Sequence, residues 1–257
     1  MTHPLATTID SIVVDAIVNQ PRSRQKLIGP SEIGTDCVRC LARKLAGIAK
    51  NPVTEVADAP WLPYIGTCVH AGLEEVFEKD NAKRVAEKKP ARWEVEKRLY
   101  IGQIGDIEIH GSCDLYDYET NTVVDHKLVG KTKLDSVRRK NDPGATYRVQ
   151  AHLYGYGWYQ LGFDVQEVAV KFYPRNEISL SRGEFWSEPY NQEIAETAMA
   201  RANEIYEAVV AHTESGTLNT YLKSLATASD CFSCPEYPSL EPPVEVFVDD
   251  LFIQPIK

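Results

Sequence analysis

Gly111-Ser-Cys-Asp-Leu-Tyr-Asp-Tyr-Glu-Thr-Asn-Thr-Val-Val-Asp-His-Lys127 is the stretch on which the reading of this chain turns. Val123 and Val124 are β-branched and Glu119-Thr120-Asn121-Thr122 carries turn chemistry, so it reads as two strands joined by a polar turn. Side chains alternate along a strand, which puts Asp125 and Lys127 on one face. A hairpin brings Asp114 near that face from the neighbouring strand. Two carboxylates with a lysine beside them suit a hard divalent cation and the water it activates. Asp-x-Lys alone recurs about once by chance in a chain of this length and charge, so the flanking sequence has to carry the rest.

Immediately upstream, alternation places Trp93, Val95, Leu99 and Ile101 on one face and Glu94, Glu96 and Arg98 on the other. Gly102 and Gly105-Asp106 punctuate before Ile107 to His110 run on into the central hairpin. The middle of the chain is therefore an antiparallel meander of about three strands. Further upstream, Tyr64 to Phe77 reads as a helix with Val69, Leu73, Val76 and Phe77 on its apolar face and with His70 and Glu74 on one flank. Residues 79 to 92 are lysine-rich and read as a solvated connection. Asn51 to Pro63 reads as a loop. A first helix is expected over residues 8 to 19, ended by Pro21 and the basic stretch to Lys26. A short one is expected after Cys37, capped by Thr35 or Asp36 and stopped by Gly47.

Downstream, residues 131 to 148 hold six basic residues (Lys131, Lys133, Arg138, Arg139, Lys140, Arg148) and two acidic ones, a local +4 in a chain of net charge −9. Directly after the hairpin, such a run can grip phosphates. Residues 147 to 162 read as an aromatic-rich helix on which Gln150 and Tyr154, four apart, share a face. Val165 to Phe172 reads as a strand, 182 to 188 as an edge strand, and 191 to 212 as a long helix with Ile194, Ala198, Ala202, Ile205 and Val209 inward.

At 257 residues the chain can bury a substantial core. No apolar run approaches the roughly 18 residues that span a bilayer, and no basic-then-apolar leader is visible, so a soluble, cytoplasmic protein is expected. The acidic total argues against phosphate contacts over the whole surface. In such a compartment the six cysteines are not expected to form disulfides. Cys37-x-x-Cys40 and Cys231-x-x-Cys234 are two pairs, and together they complete a four-thiolate metal site. Cys68 and Cys113 fit no pair and read as small buried residues.

The order of these parts resembles the RecB-like branch of the PD-(D/E)XK nucleases, in particular the CRISPR-associated and phage-encoded exonucleases with an iron–sulfur cluster. The matching pieces are Gly66-x-x-x-His70-x-x-x-Glu74, Gly111-x-x-Asp114, Val124-Asp125-His126-Lys127 and Gln150-x-x-x-Tyr154, with cysteines at both ends. The resemblance implies an α/β, restriction-endonuclease-like mixed sheet flanked by helices, with a helical cap and a four-cysteine metal site. It implies one nuclease domain over 1–257, with an N-terminal helical part (1–63) and a C-terminal part (190–257) joined by the cysteines around a core (64–189).

Carried over by position, Asp114 and Asp125 would hold Mg²⁺ or Mn²⁺, with His70 and the backbone carbonyl of His126 as further ligands. Lys127 would orient the attacking water, Gln150 would position that lysine or the substrate, and Tyr154 would contact the strand. Glu74 receives no role. Cys37, Cys40, Cys231 and Cys234 would bind a structural [4Fe–4S] cluster, although two-plus-two spacing serves Zn²⁺ equally well. The third C-terminal cysteine common in the family is absent, since Leu240 stands there. The implied function is a metal-dependent exonuclease acting on single-stranded DNA or duplex ends, in phage or host recombination, repair or CRISPR-related processing. The alternative is a non-catalytic nucleic-acid-binding subunit with a structural metal.

Overall fold

The computed structural model describes residues 4–19, 28–53, 56, 59–229 and 231–240. The expected end of the first helix at Pro21 to Lys26 and the chain beyond Leu240 lie outside them. Five strands form one mixed sheet in the order β1 (Trp93–Ile104), β2 (Ile107–Asp117), β3 (Thr122–Val129), β4 (Glu167–Pro174) and β5 (Glu184–Pro189). The expected meander is β1 to β3, all antiparallel. Strand β4 then runs parallel to β3, and β5 closes the edge antiparallel. A parallel neighbour needs a crossover, and α5 (Lys131–Lys140) and α6 (Ala145–Gln160) supply it.

The two faces of the sheet differ in weight. One carries the main core, in which α6 and α7 (Gln192–Glu214) bury Leu99, Ile101, Tyr116, Val123, Val168 and Val170. Trp158 of α6 stacks on Tyr116 at 4.2 Å between ring centroids. This cluster continues through α2 (Pro30–Ile33) and α3 (Val38–Leu45) to Tyr237 and Leu240. The other face is thin: Leu115, Val124 and Ala169 are covered by Phe77 of α4 (Trp61–Ala86), with Trp93 and Val95 beside them.

Three expectations are corrected here. Residues 79 to 86 are helical, because α4 continues to Ala86. Its charged half docks through polar bonds: Asn81 accepts from the Arg92 and Trp93 amides at 3.0 and 3.1 Å and donates to the Trp93 carbonyl at 2.7 Å. Trp93 and Val95 do not share a face with Leu99 and Ile101, since the first pair lies in the thin cluster and the second in the main core. Cys113 is buried as expected, whereas Cys68 is exposed. The first helix, α1 (Pro4–Val18), buries Ile17 and leaves Ile9, Ile12 and Val13 exposed. A short helix, α8 (Leu218–Ser224), which the sequence did not suggest, follows α7.

The hairpin is locked at its base by Asp117, which is 5% exposed. Its carboxylate takes a bidentate grip from Arg92 at 2.9 and 2.7 Å and accepts from the Glu119 amide at 2.9 Å and the Thr120 hydroxyl at 2.8 Å. Burial pushes this carboxyl up, but the Arg92 pair and the turn bonds outweigh it and hold it below the usual range. Asp117→Ala should lower stability at pH 7 by about 2–3 kcal/mol. A depressed folded pKa stabilises above the unfolded value, so the gap between wild-type and variant urea midpoints should be full at pH 7 and shrink below about pH 4.

Candidate active site

The hairpin opens into a fork. Strands β2 and β3 pair from Asp117↔Thr122 to Leu115↔Val124. One residue further on, the side chain of Asp114 takes over the role of the ladder: its Oδ2 accepts from the His126 amide at 2.6 Å. The other oxygen, Oδ1, lies 3.3 Å from His70 Nδ1 of α4. Burial pushes the Asp114 carboxyl up, but the His70 bond, the His70 and Lys127 charges and the His126 amide together hold it below the usual carboxylate range.

Asp125 follows on β3 and is 1% exposed. The Lys127 ammonium lies 2.7 Å from its Oδ2 and donates a hydrogen bond to Oδ1 at 2.9 Å. Both oxygens thus face the one ammonium. Burial raises the Asp125 carboxyl to about 6, against the opposing pull of Lys127, and Asp114 adds to the rise. A buried carboxylate beside a second carboxylate and an imidazole is a donor set that fits a divalent cation. Its carbonyl aside, His126 offers no charge: burial drives its ring down to about 4, stacked 5.6 Å from Phe77.

Tyr147 of α6 stands over Lys127, with the ammonium 5.4 Å from the ring centroid, and Lys133 of α5 approaches the same ring at 5.1 Å. Tyr147 was not singled out in the sequence, although it lies three and seven residues before Gln150 and Tyr154, on the same helical face. Gln150 and Tyr154 are themselves buried, joined by a long bond of 3.4 Å. The Tyr154 ring packs where a Cβ on Gly111 would come within 2.9 Å of it, so Gly111 allows strand and helix to touch. Tyr154 is thus packed between α6 and β2.

Glu96 also enters the site, without any signal in the sequence pattern. Strict alternation assigns it to the outer face with Glu94 and Arg98. The flanking pairs Val95↔Leu115 and Lys97↔Cys113 set it directly opposite Asp114. Its φ is +50° in the middle of a strand, a left-handed conformation that costs a non-glycine residue about 1–2 kcal/mol. This break resets the alternation and sends Val95 to the thin face and Leu99 to the main core. Ligand atoms of His70, Glu96 and Asp114 all lie within 4.8 Å of one another.

The four paired cysteines converge at the far end of the core. Sγ atoms of Cys37, Cys40, Cys231 and Cys234 lie within 4.8 Å of one another. The Cys37–Cys234, Cys40–Cys231 and Cys40–Cys234 separations are 3.5, 3.5 and 3.3 Å. The set fits a metal bound by four thiolates. The segment bearing the second pair docks by more than its thiols. Arg43 donates to the Cys234 carbonyl at 3.3 Å and lies over the Tyr237 ring, Asn51 N donates to the Glu236 carbonyl at 2.7 Å, and Tyr237 and Leu240 are buried.

No family model matches this chain, and no curated protein matches it. Among solved structures, that of SSO0001 is 15% identical, covers 93% of this chain and 100% of its own, and gives a TM-score of 0.45. LHK-Exo, an alkaline exonuclease from Laribacter hongkongensis solved with dAMP, is 10% identical over 77% of this chain and 95% of its own, with a TM-score of 0.47. A phage-related exonuclease from Haemophilus somnus 129PT is 15% identical over 78% and 93%, with a TM-score of 0.41. No helix among the described residues is long and apolar enough to cross a membrane.

Proposed function

We propose that the chain is a divalent-metal-dependent deoxyribonuclease, acting as an exonuclease on single-stranded DNA or duplex ends. The observation that carries this is Asp125, a buried carboxylate gripped by Lys127 and set beside Asp114 at the fork of a hairpin. Asp114 and Asp125 would hold Mg²⁺ or Mn²⁺, with His70 at the side and the His126 carbonyl as a further donor. A bound divalent ion supplies charge compensation for the phosphoryl oxygens and acidifies water. Lys127, fixed by Asp125 and Tyr147, would orient the attacking water and place positive charge beside the phosphate. Gln150 and Tyr154 would keep α6 seated under this arrangement. The reading takes residues 1–257 as one nuclease unit, closed across its ends by the cysteine site.

Wild-type protein should degrade end-labelled DNA with Mn²⁺ or Mg²⁺ and not with EDTA. Products from 5′- and 3′-labelled strands then give the polarity. Tight binding without cleavage under any divalent ion would favour the non-catalytic binding subunit.

The basic run serves this reading selectively. Arg138 is engaged by Asp135 at 3.1 Å and by Glu184, and Arg148 by Glu188 at 2.5 Å. Lys133, beside Lys127 over Tyr147, is the better phosphate contact, with Arg139 and Lys140 beyond it. Neutralising Lys133 and Lys140 should weaken DNA binding on every sequence alike and reduce the salt slope by about 0.7–0.9 per lost contact. Arg138→Gln should change it little. An unchanged slope in the Lys133 and Lys140 variants would return the run to a solvated face.

For the cysteines, the resemblance implies a [4Fe–4S] cluster, and one specific observation favours a second reading. One zinc ion with Zn–S bonds near 2.3 Å sets its four sulfurs ~3.8 Å apart. A four-iron cube spreads them further, because each thiolate binds a different iron. The 3.3–3.5 Å separations lie nearer the single ion.

A further inference from the structure

We propose that the loop joining β4 to β5, residues 175–183, is a wedge that parts the strands at a duplex end, with Ile178 and Leu180 as its tip. The proposal rests on the nuclease reading above and deepens it, since it names base-paired ends as the substrate this loop prepares. Ile178 is 106% exposed and Leu180 74% exposed. Scattered apolar residues on a surface are ordinary. These two are set apart by where the loop stands, how it is held and what surrounds it.

Strands β3 and β4 are the parallel pair of the sheet, and the loop leaves from the carboxyl end at which Lys127 stands. Arg175 N donates to the Val129 carbonyl at 2.9 Å, and the Asn176 side chain accepts from the Lys131 amide at 3.2 Å. The root of the loop is thus paired with residues two to four positions beyond Lys127, roughly 7–13 Å along an extended chain. Internal bonds then fix its shape. The Ser179 hydroxyl accepts from the Ser181 amide at 3.2 Å, and Arg182 N and Gly183 N donate to the Ser179 and Leu180 carbonyls at 3.1 and 2.9 Å. Arg138 of α5 donates to the Arg182 carbonyl at 3.2 Å. A tied base therefore holds the apolar tip out in water.

Charge selects the occupant. Arg175 and Arg182 flank the tip and form no ion pair among the described residues, and Glu177 is the one acid between them. Lys131, Leu134 and Arg138 of the basic helix α5 share a groove with Glu177 and Arg182. An apolar tip among cations matches stacked bases between phosphates, whereas an apolar protein surface offers the arginines no anions. Isoleucine and leucine unstack a base step when driven into it. A terminal pair opens most readily, because it is stacked on one side only. The freed strand would then reach Asp125 and Lys127 unpaired.

Ile178→Ser combined with Leu180→Ser in the full-length chain tests this. Both side chains already lie in water, so the melting temperature should stay within about 2 °C of wild type. With Mn²⁺, digestion of a blunt end-labelled duplex should slow at least about tenfold. The same labelled strand alone, or a duplex whose ends carry unpaired tails, should be digested at the wild-type rate. A terminal 2-aminopurine should brighten when wild type binds the duplex in EDTA, and most of that rise should vanish with the two serines. Unchanged duplex digestion by the serine variant would overturn the wedge, and so would an equal loss on all these substrates. Wild type that digests single strands but leaves blunt duplexes whole would remove the wedge and keep the nuclease reading. No digestion of any DNA with any divalent ion would remove both.

Discussion

Asp125→Asn should reduce DNA cleavage at least about a thousandfold, which corresponds to roughly 4 kcal/mol of barrier, while leaving the melting temperature near that of wild type. The isostere is chosen because of what lies against Asp125. Its carboxylate is 1% exposed and 2.7 Å from the Lys127 ammonium. Truncation to alanine would leave that ammonium in the interior without its partner, an error worth about 3–5 kcal/mol in a fully buried pair. A loss of activity would then be confounded with unfolding. Asparagine keeps the shape and an acceptor oxygen for Lys127, and it removes the charge on which cation binding depends.

Lys127→Met should be as inactive, for a different reason. Without the ammonium, burial and Asp114 act on Asp125 with only the His70 charge opposing them, so its carboxyl rises further and loses more of its charge near pH 7. The variant thus loses both the water-orienting group and the charged ligand. End-labelled DNA with Mn²⁺, read beside a thermal melt, measures both quantities. Wild-type-like cleavage by Asp125→Asn would sink the assignment of this site.

What the sequence made legible follows from which interactions have a period. The meander was visible because one side of each strand meets apolar neighbours, and α6 and α7 because their inward stripes recur every three to four residues. The continuation of α4 past Phe77 was not, because it docks by Asn81 and by Asp80, which accepts from the Trp93 indole at 2.8 Å. Polar docking of that kind leaves no apolar stripe. Helix α8 was missed for a similar reason, as seven residues with Leu218 and Leu222 buried are too short to show a period. In the site, Asp114, Asp125, Lys127 and His70 were named from spacing and resemblance, and the fold brings them to one fork. Glu96 escaped both. Left-handed backbone is ordinarily signalled by glycine or asparagine, and here a glutamate adopts it.

Cys40→Ser should lower stability on the order of 4 kcal/mol, and the melting temperature by roughly 10 °C for a chain of this size. Cys40 is the residue to test because it lies within 3.5 Å of both Cys231 and Cys234 and is itself buried. It belongs to α3, so a metal held by the four thiolates would tie α3 to the segment that follows α8. Thiolate is the ligand form, and one thiol of the set is already close to it. Burial pushes Cys37 up, but backbone bonds from Ala228 and Cys40 and the neighbouring thiols outweigh it and bring it to about 7. The loss should not be total, because Tyr237, Leu240 and the Arg43 bond to the Cys234 carbonyl hold the same segment without metal. Cleavage at low temperature should therefore persist in the folded fraction of Cys40→Ser, since hydrolysis needs no electron transfer. A variant that is folded yet inactive would tie this site to the chemistry instead. Metal content decides the occupant: about four irons per chain with a broad absorption near 400 nm mark the cluster, and one zinc in colourless protein marks the tetrahedral ion. Metal-free protein with all six thiols titratable, and a Cys40→Ser melting temperature equal to wild type, would remove both.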